Sequence, residues 1–597
     1  MTWFKPFMLL SAPLVASLSQ EATNGGSLLG TLDFEPLTLH KRQEPPQTRH
    51  FTFELTRKTL NPDGVTRDFL VVNGEYPGPT IEANLGDTIS VTVINKIDGP
   101  KEGTSIHWHG LPQRDTKWAD GVPSVTQCPI ATGSNFTYTF KLDVAGTTWW
   151  HAHFTAQYTD GLFGALIIHG SQYAEEYDID LGPIHLHDMY HVDYVSYLLP
   201  VYQIPPLFIP VDTNLINGRA PFDCNLDTHG SDCKPNSTDV AKFRFQPGKK
   251  HLLRLINAGG AVIQHFSVDE HELTVVANDF VPVEPYKTNT VTLGIGQRTD
   301  VIVVAKGKNG DTFWMRSEAD VFCVNGTVWQ PNATAGVYYP NADETKKPTS
   351  EKHIWETNAC LNDPLNITQP IQKRAVPTPD LTKEIQIKAE PNATGNLVFF
   401  VDSSQFRANF SETPLLLAAS NGVTEFPDHP EYNIHNYGDA NYIRLVIYNS
   451  FPVTHTMHLH GHADFWILDE GMGQWNGKIV QAENPQRRDS AQMRMGFPGN
   501  PSYLVIQFEA DNPGVWSLHC HVVIHVSAGL YMNMIEHPDQ IKKGDYKDVM
   551  AQTCRPWKEF VKANPPPQFD SGLRLKERDR IERSLKEVRR IKVEARY

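Results

Sequence analysis

The stretch that decides the reading is Trp516-Ser-Leu-His519-Cys520-His521-Val-Val-Ile-His525. On an extended chain, residues i and i+2 point to one side and residue i+1 to the other. His519 and His521 therefore face one space, and Cys520 faces the opposite one. A thiolate between two imidazoles then touches two metal sites joined by a few covalent bonds, which is a through-bond route for electrons. Zinc has no redox chemistry and leaves such a route without a use. Two histidines and one thiolate with a weak axial position suit blue copper.

Three more histidine clusters precede this one: His107-Trp-His109-Gly, His151-Ala-His153-Phe and His455-Thr-Met-His458-Leu-His460-Gly-His462. A single His-x-His pair is weak evidence, because alternating histidines can simply share a sheet face. Four clusters in one chain, one enclosing a cysteine, are the dense imidazole and thiolate that borderline metals select. Each pair can aim two rings into one space. Pairs from the first and last thirds of the chain can thus surround a cluster at a domain interface. A carboxylate-rich di-iron site would need Glu-x-x-His motifs on helices, and none is present.

The sequence around these clusters reads as strands. Thr88-Ile-Ser-Val-Thr-Val-Ile94 and Asn135-Phe-Thr-Tyr-Thr-Phe140 alternate between Gly, Pro and Asn punctuation. The texture returns at Lys242-Phe-Arg-Phe245 and Asp300-Val-Ile-Val-Val304, and again at Tyr442–Tyr448 and Tyr503–Phe508. Three all-β units follow, each a two-sheet sandwich. A polar, proline-containing stretch at 340–380 reads as a linker.

A chain of 597 residues is too long for one core and agrees with about three domains. A net charge of −15 excludes a broad basic face, so no nucleic-acid partner is expected. Lys5, the apolar run from Phe7 to Leu18 and the small residues Ala16, Ser17 and Ser19 read as a secretory leader. No later run is long enough to span a bilayer, so no membrane partner is expected. Lys41-Arg42 before Gln43 suggests propeptide removal. Sequons at Asn135, Asn236, Asn325, Asn332, Asn366, Asn392 and Asn409 fit an extracellular, glycosylated protein. Seven cysteines leave six to pair beside Cys520. Cys224–Cys233 is the natural local bridge, with Cys323–Cys360 and Cys128–Cys554 to follow, although six cysteines allow many connectivities.

The four clusters, in this order and at about these separations, resemble the copper motifs of multicopper oxidases across residues 50–573. Trp118-Ala-Asp-Gly-Val122, Gly146-Thr-Thr-Trp-Trp-His151, Asn484-Pro-Gln-Arg-Arg-Asp489 and Asn512-Pro-Gly-Val-Trp516 extend the likeness. Gln157-Tyr-Thr-Asp-Gly-Leu-Phe-Gly164 and Asp570-Ser-Gly-Leu573 narrow it to ascomycete laccases and laccase-like oxidases. The resemblance implies three consecutive cupredoxin-like Greek-key sandwiches. They would lie at 43–170, 171–345 and 381–573, with a leader at 1–20, a propeptide at 21–42, a linker at 346–380 and a C-terminal propeptide at 574–597.

It also implies four copper ions. His455, Cys520 and His525 would hold type 1 copper, and His107 and His458 type 2. His109, His151, His153, His460, His519 and His521 would hold the type 3 pair. His462 would be no ligand. Leu530, ten residues after the cysteine, would be axial and non-donating, raising the type 1 potential. Where the family usually has proline, this chain has Thr456. Asp120 matches an acid that aids proton delivery, and reads equally well as a turn aspartate before Gly121. Asp489, after two arginines, reads as salt-bridged and structural.

The expected reaction couples one-electron oxidation of phenols or aromatic amines to reduction of O2 to water, by a monomeric secreted enzyme. The position where many laccases carry a carboxylate falls in Ala258–His265, matched by Ile263, and that stretch has no acid. A ferroxidase or an ascorbate-oxidase type therefore remains the alternative. Asp570-Ser-Gly-Leu573 resembles a processing site, so cleavage after Leu573 is expected. That would release a tail with ten basic and five acidic residues.

Overall fold

The computed structural model describes residues 45–564 apart from 202–209, 236, 324–327, 355–359, 393–394 and 542–545. The leader, the dibasic pair, Asn236, Asn325, Leu573 and the basic tail lie outside the described residues.

Three two-sheet sandwiches follow one another along the chain. In the first, Thr48–Leu60, Val65–Val72, Thr88–Asn95 and Asn135–Lys141 form one sheet. Ile81–Asn84, Ile106–Trp108, Gly146–Ala152 and Phe163–His169 form the facing one. Thr88–Asn95 and Asn135–Lys141 bury every second residue, as their alternation predicts. Gly146–Ala152 is buried on both faces, because the second sandwich covers its outer side. The second sandwich packs a seven-stranded sheet on a five-stranded one, between Ile179 and Tyr338. The third packs a six-stranded sheet on a five-stranded one, between Leu381 and Glu536.

Three devices tie the sandwiches together. Asp232–Cys233, inside the loop closed by Cys224–Cys233, adds a short strand to the edge of the first sandwich. The segment expected as a linker is fastened rather than free. Cys360 bonds Cys323, and Asn362 donates to Glu470 Oε2 at 2.8 Å and to the Gln492 carbonyl at 2.9 Å. The last helix, Tyr546–Ala563, returns to the first sandwich through Cys128–Cys554 and buries Trp557 with Phe154 and Phe410. The described cysteines thus pair as the sequence suggested, and Cys520 stays free and buried.

Candidate metal centres

The strand Gly514–Cys520 carries the central motif. It pairs antiparallel with His455–Leu459, setting Met457 opposite Cys520 and His458 opposite His519. Pleating sends Leu518 and Cys520 into the core of the third sandwich. His519 points the other way, toward the first sandwich. There, Ile106–Trp108 and Gly146–Ala152 pair with His107 opposite His151.

On the core side, Cys520 Sγ lies 3.5 Å from His455 Nδ1 and 3.6 Å from His525 Nδ1, and the two ring nitrogens are 3.2 Å apart. Three donors converge on one point. His525 arrives from a single helical turn, Val523–Ser527. The Cys520 amide donates to the Leu530 carbonyl at 3.1 Å, which puts Leu530 opposite the cysteine, while Met532 pairs with Leu518.

On the other side, eight imidazoles gather between the first and third sandwiches. His109, His151 and His521 have centroids 5.1–5.8 Å apart. His153, His460 and His519 lie 5.0–5.4 Å apart. His107 and His458 are 5.8 Å apart and bridge the two triads, with His107 at 4.0 Å from His460 and His458 at 3.8 Å from His109.

The protein holds most rings by one nitrogen and leaves the other bare. His107 Nδ1 meets the Asp120 carbonyl at 2.7 Å, His151 Nδ1 the Ala152 carbonyl at 3.1 Å and His458 Nδ1 the Asp489 carbonyl at 2.9 Å. Nε2 of His107, His151, His458 and His521, and Nδ1 of His109, are buried with no hydrogen-bond partner. Leaving a buried polar atom unpaired costs about 1–3 kcal/mol each. Five such atoms aimed into one space fit a metal cluster and have no other use in the fold.

Burial, reinforced by neighbouring imidazoles, pulls His109, His151, His153, His458, His460 and His521 far below the usual histidine range. Burial likewise brings His519 down to about 4 and His525 to about 3. The rings are therefore neutral, the state a metal ligand needs. Burial pushes the Cys520 thiol up to about 12, so its proton leaves only when a cation replaces it.

The remaining expected residues are also placed. Asp120 ends a 3-10 turn before Gly121, and it touches the cluster as well: Oδ2 is 3.0 Å from His460 Nδ1 and Oδ1 3.3 Å from His107 Nδ1. Asp120 is thus the turn aspartate before Gly121, and its side chain also lies against the cluster. His462 binds the His460 carbonyl at 3.0 Å and faces Glu536 at 3.4 Å. Asp489 is ion-paired, yet to Arg298 of the second sandwich rather than to either preceding arginine. Ile263 is buried against the Cys323–Cys360 disulfide. The second sandwich also contributes Gly296, at φ +87°, where a Cβ would press on His109 and His521. Neither Gly296 nor Arg298 stands in a motif that sequence reading could single out.

Multicopper oxidase family models match residues 54–173, 180–342 and 390–540. The chain belongs to the multicopper oxidase family. Laccase-2 of Botryotinia fuckeliana is 37% identical to this oxidase over 538 residues, 88% of each chain. Dihydrogeodin oxidase of Aspergillus terreus is 33% identical, covering 89% of the oxidase and 91% of its own length. Among solved structures, the laccase of Botrytis aclada superposes with a TM-score of 0.80 at 34% identity, covering 88% of the oxidase and 95% of its own chain. Fet3p, a multicopper oxidase that functions in iron import, superposes with a TM-score of 0.73 at 26% identity, covering 85% and 95%.

Proposed function

We propose that this oxidase is of laccase type: it takes single electrons from small phenols or aromatic amines and reduces O2 to water. The observation that carries the reading is the covalent continuity of Cys520 with His519 and His521. The thiol lies in one three-donor site, and both flanking rings lie in the eight-imidazole cluster. Bound copper, one ion at the thiolate site and three in the cluster, supplies the one-electron steps between reductant and dioxygen.

The chain's own residues do the rest. His455, Cys520 and His525 would hold the first ion. His107 and His458 would hold the second, and the two triads would hold the pair. Leu530 closes the thiolate site without donating. Phe399 lies 4.8 Å from the His525 ring, 5.6 Å from His455 and 5.6 Å from Phe451. Phe451 and Pro452 line a cavity of about 930 Å³ whose wall includes Asp402. An aromatic donor fits there, within a few ring contacts of the thiolate site. Asp402 supplies the carboxylate that Ala258–His265 lacks. Asp120, touching His107 and His460, hands protons to the cluster.

No described helix is long and apolar enough to cross a membrane. The leader-like N-terminus and the sequons support a secreted enzyme. Copper-loaded protein should show an intense blue thiolate band, and Cys520→Ser should abolish both the band and oxygen uptake. Turnover of a phenol panel should exceed that of ferrous iron and ascorbate. Faster oxidation of either of those two would replace the laccase reading with the ferroxidase or ascorbate-oxidase one.

A further inference from the structure

Two histidines of the cluster stack face to face yet present different nitrogens. His109 and His458 lie 3.8 Å apart at 12°, with Nδ1 bare on His109 and Nε2 bare on His458. Asp489 and Ser490 decide this. The Ser490 hydroxyl donates to Asp489 Oδ1 at 2.9 Å. Its oxygen can then only accept from its two other neighbours, His109 Nε2 and His458 Nδ1, each 3.3 Å away. Asp489 Oδ1 is the second acceptor for His109 Nε2 at 3.3 Å, and its carbonyl is the second acceptor for His458 Nδ1 at 2.9 Å. Both protons are thereby held on the protein side, and both lone pairs face the cluster.

That arrangement depends on where the Asp489 carboxylate points, and a residue of the second sandwich controls it. Arg298 grips both oxygens, with Nη1 donating to Oδ1 at 2.8 Å and Nη2 to Oδ2 at 2.6 Å. The guanidinium is itself fixed. Its Nε donates to the Thr147 carbonyl of the first sandwich at 3.0 Å, and Nη1 to the Gly296 carbonyl at 3.2 Å. Asp279 lies 3.3 Å from it and also receives Arg488. Every member of the set is fully buried. Asp489, His109 and His458 have donor atoms close enough to share an ion. The fork on both carboxylate oxygens instead commits Asp489 to Arg298. A side chain at Gly110 would strike both partners, so that position has to be glycine.

We infer that Arg298 is a positioning residue for the trinuclear cluster: by clamping Asp489 it fixes the tautomer of His109 and the direction of the Ser490 hydroxyl between His109 and His458. The second sandwich, which supplies no ligand, thereby completes the centre. The inference rests on the proposed ligand set, and it concerns assembly of the cluster rather than the substrate.

The test uses full-length, copper-titrated protein and three readouts: copper per chain, the blue thiolate band, and the electron paramagnetic signal of the type 2 ion. Arg298→Met should keep the blue band while cluster affinity for copper falls roughly 10–100-fold, the usual effect of removing a partner behind a ligand. Arg298→Lys keeps the charge and loses the fork, so its affinity should lie between that variant and the parent. Parent-like copper content and type 2 signal in Arg298→Met, with the blue band intact, would overturn the inference. If Arg298→Met loses the blue band as well, the fold has failed, and the same comparison on Arg298→Lys decides. A parent protein that binds copper only at the thiolate site would instead refute the ligand set itself.

Discussion

Cys520 and Leu530 face each other across an antiparallel strand pair, joined by the 3.1 Å hydrogen bond from the cysteine amide to the leucine carbonyl. Met532 stands opposite Leu518, two residues further along. The residue level with the thiolate therefore has no donor atom, and an axial donor is what tunes such a site. Leu530→Met should lower the type 1 potential. Stability should change by less than about 1.5 kcal/mol, since the swap nearly conserves volume. Redox titration of the blue band checks this. An unchanged potential would mean that Met532 already fills the axial position.

What could be read from sequence follows from which contacts are local. Thr88–Asn95 and Asn135–Lys141 announced themselves because one face of each is solvated. Gly146–Ala152 and Gly514–Cys520 are buried on both faces and have no alternation. Only their histidine spacing marked them. The ligand clusters were legible because each is contiguous. Arg298 was not, since its meaning comes from Asp489, 191 positions away, and arginine is an ordinary residue on a strand. The surroundings of Ile263 were not legible for a similar reason. Its neighbours, Cys323 and Cys360, come from distant loops that no local pattern ties to it.

Among the described residues, Asp120 is the one carboxylate that reaches both His107 and His460. Its carbonyl, rather than its side chain, holds His107 Nδ1 at 2.7 Å. Asp120→Asn keeps that carbonyl and the turn into Gly121 while removing the group that can carry a proton. Reoxidation of the reduced enzyme by O2 should slow by roughly 10²-fold or more, the range for a lost proton-transfer group. Reduction of the blue centre by substrate should stay at the parent rate. Stopped-flow traces of the two half-reactions separate these effects, and equal slowing of both would assign Asp120 a structural role only.

Asp160 gives a pH signature away from the metal centres. Burial raises its carboxyl from 3.8 to about 6, even though Arg67 lies 3.1 Å away and the Tyr194 amide donates to it at 3.2 Å. A carboxyl raised in the folded state costs stability when it ionises. That cost is absent below the unfolded value, grows as pH rises and is complete above about 6. Asp160→Asn carries no such cost, and the pair with Arg67, which exists only while Asp160 is ionised, is already contained in the net shift. Relative to the parent, the variant should therefore gain up to about 3 kcal/mol between roughly pH 4 and pH 7. Thermal midpoints of parent and variant across that range give the difference directly. A flat difference would show that the pair with Arg67, and not burial, governs this carboxyl.

The closing helix bears on the cluster through its disulfide. Cys554 bonds Cys128 across 426 residues of sequence. Trp557, one turn on, packs into the same apolar group as Cys128, Phe154 and Phe410. Phe154 directly follows His153, so the helix braces the segment that carries this ring. Opening the bridge lets the helix leave without unfolding the sandwiches. Cys128→Ser with Cys554→Ser should cost about 2–5 kcal/mol of stability. Amide exchange across Tyr546–Ala563 should quicken first, and the ring triad of His153, His460 and His519 should then release copper before the thiolate site does. Exchange mass spectrometry alongside the blue band tests that order. If the helix exchanges at the parent rate, packing of Trp557 alone is enough to hold it, and the disulfide adds nothing to the centre.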